Sequence, residues 1–367
     1  MHEKFAPDRL RLARKRRQLT LKALSESVGL TPRMVGEYEK DYCTSIPPKD
    51  TVDAFAKALG YPIAFFFAEE KIETIDEQTV SFRSLKAMKA SQMHAAISAG
   101  SIGLLLDKYL NEKFNNLPKV NLPDLRGAEP ETAAGELRES WGLGNHCINN
   151  MVHLLEKHGV RVFSLAENTQ SVDAFSFWKD DKPYIFLNMQ KSGERSRMDA
   201  AHELGHLVLH KHGSPQGKDV EADADKFAAC FLMPRRTVLA CASKYLTVDD
   251  ILKLRPNWNT SAMSIIMQLR HFGAITEWHH RSLIIEASGR GLRRKEIDGI
   301  EREKTLLLDM MFKSLKDGGT SLSSVAKELM LPIEEITNLL FKLGIVHSDS
   351  VNLKATPVKP PKLTVIK

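Results

Sequence analysis

The sequence has few cysteines and no long apolar run, and these absences exclude several classes of protein. The cysteines are scattered and form no CxxC pair, which argues against a disulfide framework or a cysteine-rich zinc module. They are Cys43, Cys147, Cys230 and Cys241. No apolar stretch approaches the roughly 18 residues of a membrane span, and the polar N-terminus lacks a signal-peptide core. We therefore expect a protein of the reducing cytoplasm, without a membrane partner.

Internal repeats are also absent, and the excess of positive charge is small. No period of 20–50 residues recurs, which excludes a solenoid. A chain of 367 residues is long enough for about two or three domains. The 52 Lys and Arg residues outnumber the 46 Asp and Glu residues and give a formal net charge of +6. This surplus suits a nucleic-acid partner but does not establish one.

The distribution of helical and extended patterns predicts a mainly α protein with one mixed region. Three β-like runs predict a small sheet within that region: Val160–Leu165, Ala174–Trp178 and Tyr184–Leu187. Prolines at 118, 123 and 130 indicate a boundary before it. We divide the chain into five short helices (1–70), a helical linker (71–128), an α+β domain (129–245), a helical C-terminal region (246–346) and a flexible tail (347–367).

Residues 21–39 follow the pattern of a helix, a tight turn and a second helix. Thr20 and Thr31 are suited to cap the two helices, and Gly29 supplies the positive φ of the turn. The second helix of such a unit enters the major groove of DNA, where Arg33 is the best candidate to read bases. The candidates for phosphate contacts are Arg9, Arg14, Arg16, Arg17 and Lys22.

Residues 6–68 resemble the repressor-like helix-turn-helix domains of the XRE family. The matching positions include Leu19-Thr20, Val28-Gly29, Tyr38-Glu39 and Phe66-Phe67. The resemblance implies double-stranded DNA as a partner, and a homodimer as a common arrangement. Leu21 stands where the family commonly has Gln, and Glu37 would repel phosphate, so a role in protein binding remains the alternative.

The sequence His202-Glu203-Leu204-Gly205-His206 is the strongest chemical signal in the chain. Residues four apart on a helix share a face, so both imidazoles can reach one metal ion. Glu203 lies beside them, where a carboxylate can activate water. This is the HExxH pattern of zinc peptidases.

A catalytic zinc site needs a third protein ligand, and two candidates follow. Glu221 lies on the next predicted helix, with Asp225 one turn further along the same face to orient a ligand histidine. His212 is the rival, but that geometry needs glycine where this chain has Leu209. The pattern favours Glu221. The His/His/Glu set suits zinc, with manganese as the other candidate.

Residues 130–240 resemble the ImmA/IrrE metallopeptidase family. The matching stretches include Ala200–His210, Glu221–Ala229 and Phe231–Pro234. The resemblance implies a zincin-like domain with His202, His206 and Glu221 as ligands and Glu203 as catalytic base. It also implies a regulator that cleaves a repressor protein, or itself, in a stress or mobile-element response. The alternative is a transcription regulator whose peptidase fold senses a ligand or metal without catalysis.

An extended substrate could add to the edge of the predicted sheet by β-augmentation. Either Ala174–Trp178 or Tyr184–Leu187 could offer that edge, and the sequence does not choose between them. Tyr184, Arg195 and His210 are candidates to stabilise the tetrahedral intermediate. Near the C-terminus, Glu334 and Glu335 stand where a DNA-reading helix would carry basic residues, which predicts a packing or interaction unit there.

Overall fold

The computed structural model describes residues 4–42, 46–77, 80–82, 88–165, 174–211, 217–243, 245–341 and 364–365. Among these residues, no helix is both long enough and apolar enough to cross a bilayer. The α-helices are α1 (Pro7–Arg16), α2 (Leu21–Val28), α3 (Pro32–Tyr38), α4 (Lys49–Leu59), α5 (Ala90–Lys113), α6 (Pro130–Ser140), α7 (Met151–Lys157), α8 (Gly193–Leu209), α9 (Lys218–Leu232), α10 (Arg235–Ala240), α11 (Val248–Leu254), α12 (Ala262–His271), α13 (Glu277–Gly289), α14 (Leu307–Asp317), α15 (Leu322–Glu328) and α16 (Ile333–Leu339). The strands are β1 (Ser81–Phe82), β2 (Phe114–Asn115), β3 (Arg161–Leu165), β4 (Ala174–Lys179), β5 (Lys182–Asn188) and β6 (Thr364–Val365).

The N-terminal helices confirm the helix-turn-helix prediction. The hydroxyls of Thr20 and Thr31 accept hydrogen bonds from backbone N–H groups in the first turns of α2 and α3. Gly29 ends α2 with φ +69°, a conformation that disfavours side chains other than glycine. The fifth helix of the prediction is a short 3-10 turn, Ile63–Phe67, whose Phe65 and Phe66 are buried.

The sheet has four strands in the order β1-β4-β5-β3. β3 runs parallel to β5, whereas β4 is antiparallel to β5 and β1 is antiparallel to β4. All three predicted β-like runs therefore form strands. Because β5 lies between β4 and β3, its backbone cannot offer an edge to a substrate. β4 also has a neighbour on each side, β5 and the two-residue β1, so neither predicted run is an edge strand of this sheet.

Helices α5 and α8 cover opposite faces of this sheet. Side chains alternate along each strand, so Phe163 and Phe186 pack in the cluster that contains α5, while Val162 and Ile185 pack in the cluster that contains α8. A Cβ at Gly103 on α5 would lie 2.7 Å from Cζ of Phe186, so glycine permits this close approach. The result is two hydrophobic cores separated by the sheet.

The stretch expected to be a helical linker contains α5, which is a core element. Its central residues are buried on every side, because α5 lies between α1 of the helix-turn-helix domain and the sheet. Asp107 on this helix is buried and forms an ion pair with Arg161 (Oδ1–Nε 2.9 Å). Its other oxygen accepts a hydrogen bond from the hydroxyl of Tyr184 at 2.8 Å. These contacts fix α5 to β3 and β5.

The helical C-terminal region divides between the two cores. Helices α11 to α13 join the core on the α8 side, and α14 to α16 join the core that also contains the helix-turn-helix domain. Two glutamates join this region to α7. Glu303 accepts hydrogen bonds from the N–H groups of Met151 and Val152 at the start of α7, and Glu156 accepts them from Leu306 and Leu307 at the start of α14.

Most of the expected tail, 347–367, lies outside the described residues. Within it, β6 pairs antiparallel with β2 in a separate two-stranded sheet.

Candidate functional site

His202, His206 and Glu221 meet at one point between α8 and α9. The Nε2 atoms of the two histidines lie 3.0 Å apart. The Glu221 carboxylate oxygens lie 3.4 Å from Nε2 of His202 and 3.3 Å from Nε2 of His206. Two nitrogens and a carboxylate oxygen at this spacing fit the donor set of a zinc site with an open fourth position. The structure thus brings together the three ligands predicted from the sequence.

Asp225 lies behind His202, one helical turn after Glu221. Its Oδ1 is 2.9 Å from Nδ1 of His202. With Nδ1–H donating to this carboxylate, Nε2 keeps its lone pair directed at the centre of the cluster. The predicted orienting contact of Asp225 is therefore present in the geometry.

Burial and hydrogen bonding keep His206 and Glu221 in protonation states that bind cations. Burial lowers the pKa of His206 to about 4, so its imidazole is neutral at neutral pH. Burial alone would raise the pKa of Glu221, but hydrogen bonds with His202 and His206 outweigh it and lower the pKa to about 2. Neutral imidazoles and an ionised carboxylate are the forms that coordinate divalent metals.

Gly205 allows α9 to approach α8 closely enough to deliver Glu221. A Cβ at this position would lie 3.0 Å from Cδ1 of Phe227 and 3.3 Å from Cα of Ala224. A larger side chain would push the two helices apart. The glycine inside the His-Glu-x-x-His pattern therefore helps to place the third ligand.

Glu203 is on the same helix but is engaged with the sheet. Its Oε2 accepts a hydrogen bond from the hydroxyl of Ser176 on β4 at 2.6 Å. The side chain is completely buried, with 0% exposure. Ser176 was not among the predicted residues, because its role depends on strand pairing and no sequence motif marks it.

Of the three candidates to stabilise the tetrahedral intermediate, His210 lies nearest the metal ligands. Its Nδ1 is 3.1 Å from Nδ1 of His206. Tyr184 points to the opposite face of the sheet, where its hydroxyl bonds to Asp107. Arg195 forms an ion pair with Asp199 one turn along α8 (Nε–Oδ1 3.1 Å).

The alternative ligand His212 lies outside the described residues. Asp223, two residues after Glu221 on α9, is exposed. A second group, Glu131, Cys230 and His271, also has donor atoms within 4.8 Å of one another. There the guanidinium of Arg235 lies 3.4 Å from Glu131 and would oppose a bound cation.

On the helix-turn-helix domain, Arg33 and Lys22 are exposed as a DNA interface requires. Lys22 has a distant ion pair with Glu26 at 3.9 Å, which leaves the amine accessible. Glu37 is exposed, and its hydrogen bond with Lys40 lowers the pKa of the carboxyl. That contact partly offsets the negative charge on α3.

The remaining basic candidates have partners inside the protein. Arg14 forms two hydrogen bonds of 2.6 Å with Glu39, and Arg16 is buried against Glu335 on α16 at 2.8 Å. Arg17 also binds Glu335, at 2.7 Å, and is one-third exposed. The structure thus gives Arg14 and Arg16 carboxylate partners in place of the phosphates expected from the sequence. Arg9 is likewise buried and donates to the carbonyl of Glu70.

Comparisons with known families agree with this geometry. Residues 10–66 match the family described as Helix-turn-helix, and residues 155–270 match the peptidase family M78, described as IrrE N-terminal-like domain. No curated protein matches the chain. The second match spans β3 to β5, the converging residues His202, His206 and Glu221, α11 and all but the last residue of α12. The chain therefore joins an XRE-type helix-turn-helix domain to an IrrE-like domain of a peptidase family.

Proposed function

We propose that this protein is a DNA-binding transcription regulator whose second domain is a metal-dependent endopeptidase that cleaves a regulatory protein. The observation that carries the proposal is the convergence of His202, His206 and Glu221, with Asp225 behind His202. The substrate class, a repressor or the chain itself, comes from the family resemblance. We propose the cytoplasm as the compartment of this activity, as expected from the sequence.

The chain's own residues account for the proton transfers of peptide hydrolysis. A bound zinc or manganese ion would polarise the scissile carbonyl and acidify the attacking water. Glu203 would accept the proton of that water and deliver it to the leaving amine. Ser176 holds the Glu203 carboxylate through its hydroxyl, which limits the positions that the base can adopt. His210, beside His206, is the candidate donor to the developing oxyanion.

The alternative function is a regulator whose peptidase fold senses a metal or ligand without cleaving peptide. The complete burial of Glu203 favours this alternative, because a general base must reach water and substrate. The two functions differ in the role of Glu203, which acts in catalysis in the first and only in structure in the second.

A comparison of the Glu203→Gln and His202→Ala variants tests the proposal. The purified proteins are loaded with zinc or manganese and incubated with a library of unstructured peptides, and new N-termini are read by mass spectrometry. We expect cleavage by the wild-type protein alone, and retention of metal by Glu203→Gln but not by His202→Ala. Cleavage that persists in Glu203→Gln would contradict the catalytic assignment. Metal binding without cleavage under any condition would support the sensor.

A further inference from the structure

β4 is the strand that contacts Glu203, and its side away from β5 is the edge at which a peptide could pair with it. Two hydrogen bonds join β4 to α8: the hydroxyl of Ser176 donates to Glu203 at 2.6 Å, and Nε1 of Trp178 donates to the carbonyl of Leu207 at 3.0 Å. The opposite edge of the sheet belongs to β3, beyond β5. An extended peptide that adds to the β4 edge would therefore run beside the proposed catalytic base.

That edge is already paired, and the partner is a segment of this chain. β1 runs antiparallel to β4, with Ser81 opposite Ser176 and Phe82 opposite Phe175. Ser81 is 1% exposed, and Val80 before it is fully buried. The residue opposite Ser81 is the one whose hydroxyl holds Glu203.

Two strands cannot take the same edge, so a substrate and β1 exclude each other. We infer that residues 80–82 are an internal, substrate-like strand that closes the peptidase site, and that this strand must leave β4 before a peptide substrate can bind. The inference rests on the proposed peptidase function and adds its regulation. Departure of β1 would free the side of β4 at Ser176, the residue whose hydroxyl holds Glu203.

Features of β1 suit a strand that can be displaced. It forms a ladder of only two residues, which is marginal by itself. Among the described residues, the buried Ser81 hydroxyl has no hydrogen-bond partner, and such burial costs stability. Val80 packs in the same core as the helix-turn-helix domain and α5. One hydrophobic core therefore contains both this strand and the helix-turn-helix domain.

A peptide-binding measurement tests the inference without relying on catalysis. The probe is a fluorescent peptide with the sequence of residues 76–88, titrated against protein carrying Glu203→Gln. A tethered strand competes at an effective concentration on the order of millimolar, so the parent protein should bind the free peptide weakly. Val80→Asp places a charge in the core and should release the strand, which raises affinity about tenfold or more. Thr74→Asp adds the same charge at an exposed position of the same segment and should leave binding unchanged.

A disulfide between β1 and β4, called the lock below, provides a second test if Val80→Asp does not fold. Ser81→Cys and Ser176→Cys place thiols on directly opposed residues and change side-chain volume little. In the oxidised form, the peptide should not bind; reduction should restore the binding seen with Ser176→Cys alone. Equal peptide binding by the oxidised and reduced proteins would overturn the inference.

The same lock in protein with Glu203 intact separates this inference from the proposed function. Metal-dependent cleavage that oxidation abolishes supports both. Cleavage that oxidation does not change would refute the inference that β1 closes the site, but it would still support the proposed peptidase. Lock-dependent peptide binding, together with no metal-dependent cleavage by the wild-type protein, would refute the peptidase and would still support the closing strand.

Discussion

Asp225 is placed to set the tautomer of His202, and through it the affinity of the proposed metal site. The carboxylate lies 2.9 Å from Nδ1 of His202 and is itself half-exposed. Without it, the imidazole can rotate or carry its proton on the nitrogen that faces the metal. The other ligand histidine has a different neighbour at Nδ1, the imidazole of His210. The two histidines are therefore held by different means.

Asp225→Ala should weaken zinc affinity by about 10- to 100-fold. The cause is loss of orientation at His202, since Asp225 itself is not one of the three converging ligands. Titration with zinc against a competing chelator measures the change. Asp223→Ala removes an exposed carboxylate from the same helix and is the matched control, with affinity close to wild type. Equal losses in both variants would indicate a general effect of charge.

Glu156 gives folding stability a pH dependence of definite sign. Burial raises the pKa of this carboxyl to about 7, so the folded protein holds its proton where the unfolded chain has lost it. Its contribution to stability is complete below the ordinary glutamate pKa of about 4.5 and is lost as pH rises toward 7. The free energy of unfolding should fall by on the order of 1–3 kcal/mol between pH 5 and pH 8 from this group. Urea denaturation of the wild type and of Glu156→Gln checks it, with a shallower pH slope expected in the variant.

At the scale of elements, α16 and the residue that follows it link the helix-turn-helix domain to the sheet. Glu335 binds Arg16 and Arg17 of the helix-turn-helix domain and accepts a hydrogen bond from the hydroxyl of Tyr61 at 3.2 Å. After α16, the N–H of Phe341 donates to the hydroxyl of Ser164 on β3 at 2.7 Å. The sequence expectation of a packing unit here agrees with this arrangement. The acidic residue that would repel DNA is used to bind arginines.

Glu335→Ala should destabilise the protein by about 3–5 kcal/mol, because it leaves the buried guanidinium of Arg16 without its partner. Glu334→Ala changes the exposed neighbour and should shift stability by less than about 0.5 kcal/mol. Thermal unfolding followed by circular dichroism compares the two. Similar melting temperatures for both variants would show that the contacts of Glu335 contribute little to stability.

Elements with local signals were predictable, and those made by distant pairing were not. Thr20, Gly29 and Thr31 mark helix ends within a few residues of chain, so the helix-turn-helix bounds followed from the sequence. The spacing of His202 and His206 specified a shared helix face in the same way. By contrast, the partners of Ser176 and Glu335 lie 27 and more than 300 residues away. No local pattern reports such contacts.

The same distinction explains the helix that was expected to be a linker. α5 is buried on all sides, so it lacks the amphipathic periodicity that identifies a helix packed on one face. Its role becomes evident only when α1 and the sheet are both in place. The arginines of α1 show the converse: a basic run resembles a DNA-binding surface until its internal carboxylate partners are known.

For the whole molecule, the exposed basic residues limit how the protein can approach DNA. Arg33 on α3 and Lys22 on α2 remain accessible, whereas the basic residues Arg14 and Arg16 of α1 are engaged internally. We expect Lys22→Ala to weaken binding to all sequences and to reduce the salt dependence by about one counterion. Arg33→Ala should instead cost about 1–3 kcal/mol on one preferred sequence and less on others.

Fluorescence anisotropy with operator-like and random duplexes at several salt concentrations distinguishes these effects. Lys57→Ala, on α4, is an exposed control and should behave as wild type. Binding that does not respond to salt would favour a protein partner for this domain over DNA.

The central claim is that His202, His206 and Glu221 hold one divalent metal ion in a peptidase-family domain. Elemental analysis of the purified full-length chain, beside the His202→Ala, Glu221→Ala and Glu203→Gln variants, tests it most directly. The account predicts about one zinc or manganese per chain in the wild type and in Glu203→Gln, and loss of that metal in the other two variants. Full metal content in Glu221→Ala, or no bound metal in the wild type even after zinc and manganese are added, would contradict it.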